Sequence, residues 1–149
     1  MPEPTRVVSA VVRTICSALL SGWISMSFAS AADIVPISNG SHAQVPLATV
    51  RAMFAMRVRQ WPDNGSPVTV FVLPASDPSH SAFCKRILDV FPYQLQRVWD
   101  RLTFSGTGQA PIELNSMDEM ISRVASTPGA IGYVTTDRLN ERVNALRLQ

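Results

Sequence analysis

Apolar positions fall into one long leading run and then a series of short segments with distinct periods. After the leader, Asp33–Ile37 reads as a short strand-forming run, followed by a polar loop to Val45. Leu47, Val50, Met53, Phe54 and Val58 recur at helical spacing, which predicts a helix over Leu47–Arg57. Trp61-Pro62-Asp63-Asn64-Gly65 is a turn. Pro67–Leu73 is apolar on both faces except at Thr69, the pattern of a strand covered on both sides. Asp77-Pro78 reads as an N-cap with proline at the first helical position. The helix it opens carries Cys84, Ile87, Leu88 and Phe91 on one stripe. Pro92 ends that helix and starts another, whose inner stripe is Leu95, Val98, Trp99 and Leu102. Gln94, Arg97 and Arg101 face away, as a solvated side. Phe104–Pro111 is a loop. Ser116-Met117-Asp118-Glu119 is a capping box opening a helix that buries Met117, Met120, Ile121 and Val124. Thr127-Pro128-Gly129 stops it, Ala130–Val134 is a buried strand, and Val143–Leu148 reads as a weak final strand. Helices alternating with buried strands predict an α/β layered domain.

The leading run has its own logic. Arg6 and Arg13 precede an apolar stretch, Ile15–Phe28, and then the small-x-small triplet Ala29-Ser30-Ala31. That order predicts an export signal over residues 1–31, cut after Ala31, and a domain over 32–149. An uncleaved anchor is the alternative, but the run falls short of the ~20 residues that span a bilayer. The predicted location is periplasmic or secreted, with no stable membrane insertion after cleavage.

Composition then narrows the function classes. Removing Arg6, Arg13 and Glu3 takes the 13 basic and 11 acidic residues to 11 and 10, a net of +1. Such a domain has no bulk electrostatic reason to bind nucleic acid or an anionic membrane. Cys16 lies in the leader and lacks the upstream leucine of a lipoprotein signal. Cys84 is then alone, so neither an internal disulfide nor a cysteine zinc cluster is expected. His42 and His80 are too few for a histidine metal site, and no cofactor is expected.

Two segments could hold an anion. At Ser76–His80 a helix start offers free N–H groups, and Ser76, Ser79 and His80 add donors; the competing reading is that Asp77 caps the helix and repels anions. In the loop Ser105, Gly106, Thr107, Gly108, Gln109, glycines allow close approach of backbone N–H groups; the competing reading is a plain connection. Asp77, Ser79 and His80 are triad residue types, but no G-x-S-x-G elbow surrounds a serine, so no catalytic residue and no enzyme activity are expected. Cys84, Trp61 and Trp99 read as packing residues.

Thr127-Pro128-Gly129-Ala130-Ile131-Gly132-Tyr133-Val134 resembles the T-P-G-A-I-G-Y-V segment of phosphate-type periplasmic solute-binding proteins. Val50–Trp61 resembles their I-F-x-G-K-x-x-x-W segment, and Ile34–Asn39 their strand ending in Asn. Phe104-Ser105-Gly106 and Ser116–Val124 fall where that family has a glycine-containing loop and a late helix. The resemblance covers nearly all of residues 32–149. It implies one lobe of a type II periplasmic-binding-protein fold, a mixed sheet flanked by helices, as in the short members labelled phosphate transporter substrate-binding proteins. It also implies phosphate or another small oxyanion as ligand, and a transporter or envelope protein as partner. Two departures stand out. The family's Arg-Ser-x-Gly-Ser-Gly-Thr loop corresponds to Leu73-Pro74-Ala75-Ser76-Asp77-Pro78-Ser79-His80, without the arginine or either glycine. The glycine and lysine of I-F-x-G-K are Met56 and Arg57. The expectation is weak or lost oxyanion binding; the alternative is an envelope interaction module without a small-molecule ligand.

Overall fold

A computed structural model describes residues 32–40, 42 and 44–149. The leader reading over residues 1–31 lies outside them. Five strands, β1 (Ile34–Ser38), β2 (Thr69–Val72), β3 (Ile112–Glu113), β4 (Ala130–Thr135) and β5 (Asn144–Ala145), form one sheet in the order β3-β2-β4-β1-β5. β2 runs parallel to β3 and β4, with Thr69 opposite Ala130 and Phe71 opposite Ile112. β1 is antiparallel to β4, pairing Ile34 with Thr135 through Ser38 with Ile131, and antiparallel to β5. The sheet is therefore mixed, and the central strands β2 and β4 are buried on both faces, as their unbroken apolar runs require.

Helices α1 (Leu47–Phe54), α2 (Pro78–Phe83), α3 (Pro92–Phe104) and α4 (Met117–Ser126) supply the cover. α4 lies on the face of the sheet that carries Gly132. A Cβ at that glycine would sit 2.5 Å from the Met120 sulfur and 2.9 Å from Val124 Cγ2, so the missing side chain lets helix and strand close up. On the opposite face Tyr133 stacks on Phe83 at 4.0 Å and faces Phe54 at 6.1 Å. α3 joins that layer where Trp99 Nε1 donates to the Phe54 carbonyl at 2.8 Å. The turn into β4 depends on Gly129, whose φ of +69° and close approach to the Pro67 carbonyl leave no room for a Cβ.

Several boundaries differ from the sequence reading, each for a local reason. α1 ends at Phe54 rather than Arg57, because Met56 turns to φ +59° and Arg57 N–H bonds back to the Ala52 carbonyl. That closure is the Schellman pattern, and its left-handed position usually takes glycine. After α2 the chain widens into a π-turn over Cys84–Leu88, closed by Asp89 at φ +58°. The wide turn breaks the predicted stripe: Cys84 and Leu88 are buried, Ile87 is half-buried, and Phe91 is 52% exposed. On α3, Leu95 and Trp99 are buried while Val98 and Leu102 are half-buried. The capping box at α4 is shifted by one residue. Ser116 Oγ accepts from Glu119 N–H as expected, but the Glu119 carboxylate accepts from Asn115 N–H at 2.9 Å. β3 was not predicted, and the final strand shrinks to two residues plus a bridge between Val45 and Leu148.

Candidate functional site

Open α/β sheets bind ligands beyond the carboxyl ends of their strands, so that rim is the place to build from. β2 leaves the sheet there and runs through Pro74–Ser76 into α2. Asp77 caps α2: its Oδ1 accepts from Ser79 N–H at 2.7 Å, and Pro78 takes the next position. Ser76 is exposed and Ser79 half-buried. His80 behaves differently. It is 1% exposed and turned into the core, with Nδ1 2.7 Å from the Tyr133 hydroxyl and Nε2 3.4 Å from the Cys84 sulfur.

The protons of this buried chain follow from its partners. Leu73 N–H donates to the Tyr133 oxygen at 2.8 Å. The phenolic hydrogen then has His80 Nδ1 as its acceptor, which puts the imidazole proton on Nε2, facing the sulfur. A second imidazole proton would have to point at the oxygen that is already donating, and would orphan the phenolic hydrogen. Burial lowers the His80 pKa below its ordinary value, with the Asp77 charge opposing. Burial also raises Tyr133, and it pushes the Cys84 thiol up to about 12. His80 is thus a neutral core residue rather than a donor presented to solvent.

The rest of the same rim is acidic. β3 ends at Glu113 and leads to the Ser116 cap, with Asp118 and Glu119 in the first turn of α4. β4 leads to a 3-10 turn, Thr136–Arg138, that contains Asp137. Because β1 is antiparallel, its start lies at this end too, and Thr136 N–H donates to the Asp33 carbonyl. Two arginines reach acids of this rim: Arg138 pairs with Asp118 at 2.8 Å and Arg86 with Asp33 at 3.6 Å. Acids at helix starts satisfy orphan N–H groups and complement the dipole, and here Asp77 accepts from Ser79 N–H and Glu119 from Asn115 N–H. They do not converge on a cation: among the described residues, no three His, Cys, Asp or Glu side chains group closely enough to hold a metal ion.

Ser105, Gly106 and Thr107 lie elsewhere. They precede β3, and Gly106 and Thr107 line a hollow with Pro67 and Val68, at the amino end of β2. Ser105 Oγ and Thr107 Oγ1 are 2.7 Å apart, and Arg59 donates to the Thr107 carbonyl at 2.8 Å. β2 spans four residues, about 13 Å, and it separates this loop from Ser76 and Ser79. The six candidate residues therefore divide into two serines at the carboxyl rim, one exposed and one half-buried, a buried histidine, and a loop at the opposite end. Tyr133, which fixes His80, was read from the sequence only as a strand residue. A tyrosine in an otherwise apolar buried strand needs a partner for its hydroxyl, and that was the available signal.

No family model matches the chain, and no curated protein matches it. Solved structures do. A phosphate-bound ABC-transporter-type substrate-binding protein from Clostridium perfringens aligns with a TM-score of 0.63 and 16% identity, over 78% of this chain and 45% of that one. PstS from Borrelia burgdorferi aligns at 0.61 and 15% identity, over 79% and 47%. An ABC-type phosphate transport receptor from Vibrio cholerae aligns at 0.59 and 14% identity, over 78% and 46%. The chain spans less than half the length of these receptors. Among the described residues no helix is long and apolar enough to cross a membrane. With the α/β sheet and helix layers described above, these alignments establish that the chain adopts the fold of a single lobe of a phosphate-type periplasmic binding protein.

Proposed function

We propose that this chain is an exported, non-enzymatic, solute-binding-type module of the cell envelope whose affinity for phosphate and similar oxyanions is weak or lost. The observation that carries this reading is the acidic carboxyl rim. Asp77 fills the start of α2, Asp118, Glu119 and Asp137 follow β3 and β4 at the same end of the sheet, and Arg138 and Arg86 are paired with Asp118 and Asp33. An incoming phosphate would meet like charge and amides already in use. The phosphate transport receptors of similar fold make an anion the natural ligand to test. Calorimetry of the purified chain with phosphate and sulfate is the test. Saturable heat at submillimolar concentration would refute the reading; millimolar or undetectable binding supports it. Export is tested by mass spectrometry of the protein recovered from periplasm or medium, which should begin at or near Ala32.

A second reading has its own support. Phe91, Tyr93 and Phe104 stand 52%, 58% and 90% exposed along α3. A chain of half-receptor length with exposed aromatics also suits a protein-interaction module. A stoichiometric partner recovered from envelope extract, lost when Phe104 and Tyr93 are both replaced by serine, would favour this second role.

A further inference from the structure

Away from both ends of the sheet, a groove of about 490 Å³ runs between α1 and the start of α3. Leu47, Ala52 and Ala55 form one wall, and Leu88, Leu95 and Val98 the other. Its charged lining residues are Arg51 and Arg57, and no acid lines it. Arg51 is half-buried, and its Nε donates to the Ile87 carbonyl at 3.0 Å, which fixes the guanidinium at the groove. Neither arginine is in an ion pair among the described residues. A guanidinium held against an apolar slot with no carboxylate partner is complementary to an anionic head on a hydrocarbon tail. The slot is narrow: α1 and α3 touch at the Trp99–Phe54 hydrogen bond of 2.8 Å. A partner helix about 10 Å across could not enter between them, whereas a single alkyl chain can.

We propose that this groove binds small amphiphilic monocarboxylates, with the carboxylate on Arg51 and Arg57 and the tail along the wall of Leu47, Ala52 and Ala55. This site stands apart from the carboxyl rim, and neither proposal depends on the other. The test is a methyl-resolved NMR titration of the purified chain with sodium decanoate below its micellar range. Saturable shifts are expected at the methyls of Leu47, Leu88, Leu95 and Val98. Arg57→Gln and Ala48→Phe alter exposed positions of the lining, so each should leave the thermal midpoint near that of the parent. The first should weaken decanoate binding about tenfold through loss of a charge-assisted contact, and the second should block it. Decanol, with the same tail and no charge, should bind about tenfold more weakly than decanoate. Shifts that do not saturate, that map elsewhere, or that persist unchanged in both variants would overturn the proposal. So would an acidic amphipathic peptide that shifts these methyls when decanoate does not.

Discussion

Replacing Tyr133 with Phe tests whether His80 is a core residue or a displaced ligand-binding one. The substitution keeps the ring, so the stack on Phe83 at 4.0 Å is retained. It removes one oxygen that serves two buried groups, accepting from Leu73 N–H at 2.8 Å and bonding His80 Nδ1 at 2.7 Å. Tyr133 and Leu73 are no more than 1% exposed, so water does not replace the lost partner. A buried polar group left without a hydrogen bond costs about 1–3 kcal/mol. With two such groups the expected loss is about 2–5 kcal/mol, allowing for partial relaxation. Urea unfolding followed by the fluorescence of the buried Trp61 and Trp99 reads this directly. Tyr93→Phe, on the exposed side of α3, is the control and should change stability by less than about 0.5 kcal/mol. If Tyr133→Phe matched that control, the buried chain from Leu73 to Cys84 would not exist as described, and His80 would again be free to face a ligand.

Three further outcomes follow from the same geometry. The lowered pKa of His80 means that the folded state resists a proton the unfolded chain accepts. Stability should be full above the ordinary histidine value of about 6.5 and fall as pH drops below it toward the folded pKa; His80→Gln should flatten that part of the urea-midpoint profile. Cys84, buried and with its thiol pushed up to about 12, should resist iodoacetamide at pH 8 in the native protein and react once urea unfolds it; rapid native labelling would refute its placement. Gly129→Ala should cost roughly 2–4 kcal/mol, from the left-handed backbone and the contact with the Pro67 carbonyl, and a thermal midpoint equal to the parent's would contradict the β2–β4 register there.

What the chain's pattern disclosed was whatever depends on burial repeated over several turns. β2, α3, α4 and β4 each carry an apolar run or stripe long enough to set a period. β3 has two residues, both exposed, so it carries no alternation to read. The end of α1 was hidden because Met56 occupies a left-handed position where a glycine would have announced it. The resemblance to solute-binding proteins marked this position as the family's glycine, and the backbone gives the physical reason for that residue type. The candidate site was legible only in part. Asp77-Pro78 declared its cap through local chemistry, but which way His80 points depends on Tyr133, 53 residues later in the chain. Similarly, Ser76 at a helix start and Ser105 in a glycine loop were both candidates for an anion, the first the stronger. Only the strand directions, parallel for β2 and β3, place one loop after the sheet and the other before it.

The acids at the carboxyl rim have a physical reason to be there even without selection against phosphate. A helix start leaves N–H groups without partners, and any free anion must compete for them with tethered side chains. Asp77 Oδ1 is held two residues from the amide it accepts from, and Glu119 four residues from its own. Tethering over so few residues gives an effective concentration of at least millimolar order, so a dissolved oxyanion must exceed that before it displaces either carboxylate. Such caps stabilise by about 1 kcal/mol each, which a domain of this size can ill spare. The carboxylates that complete these two helix starts are thus the ones that, on the proposed reading, weaken phosphate binding at the rim.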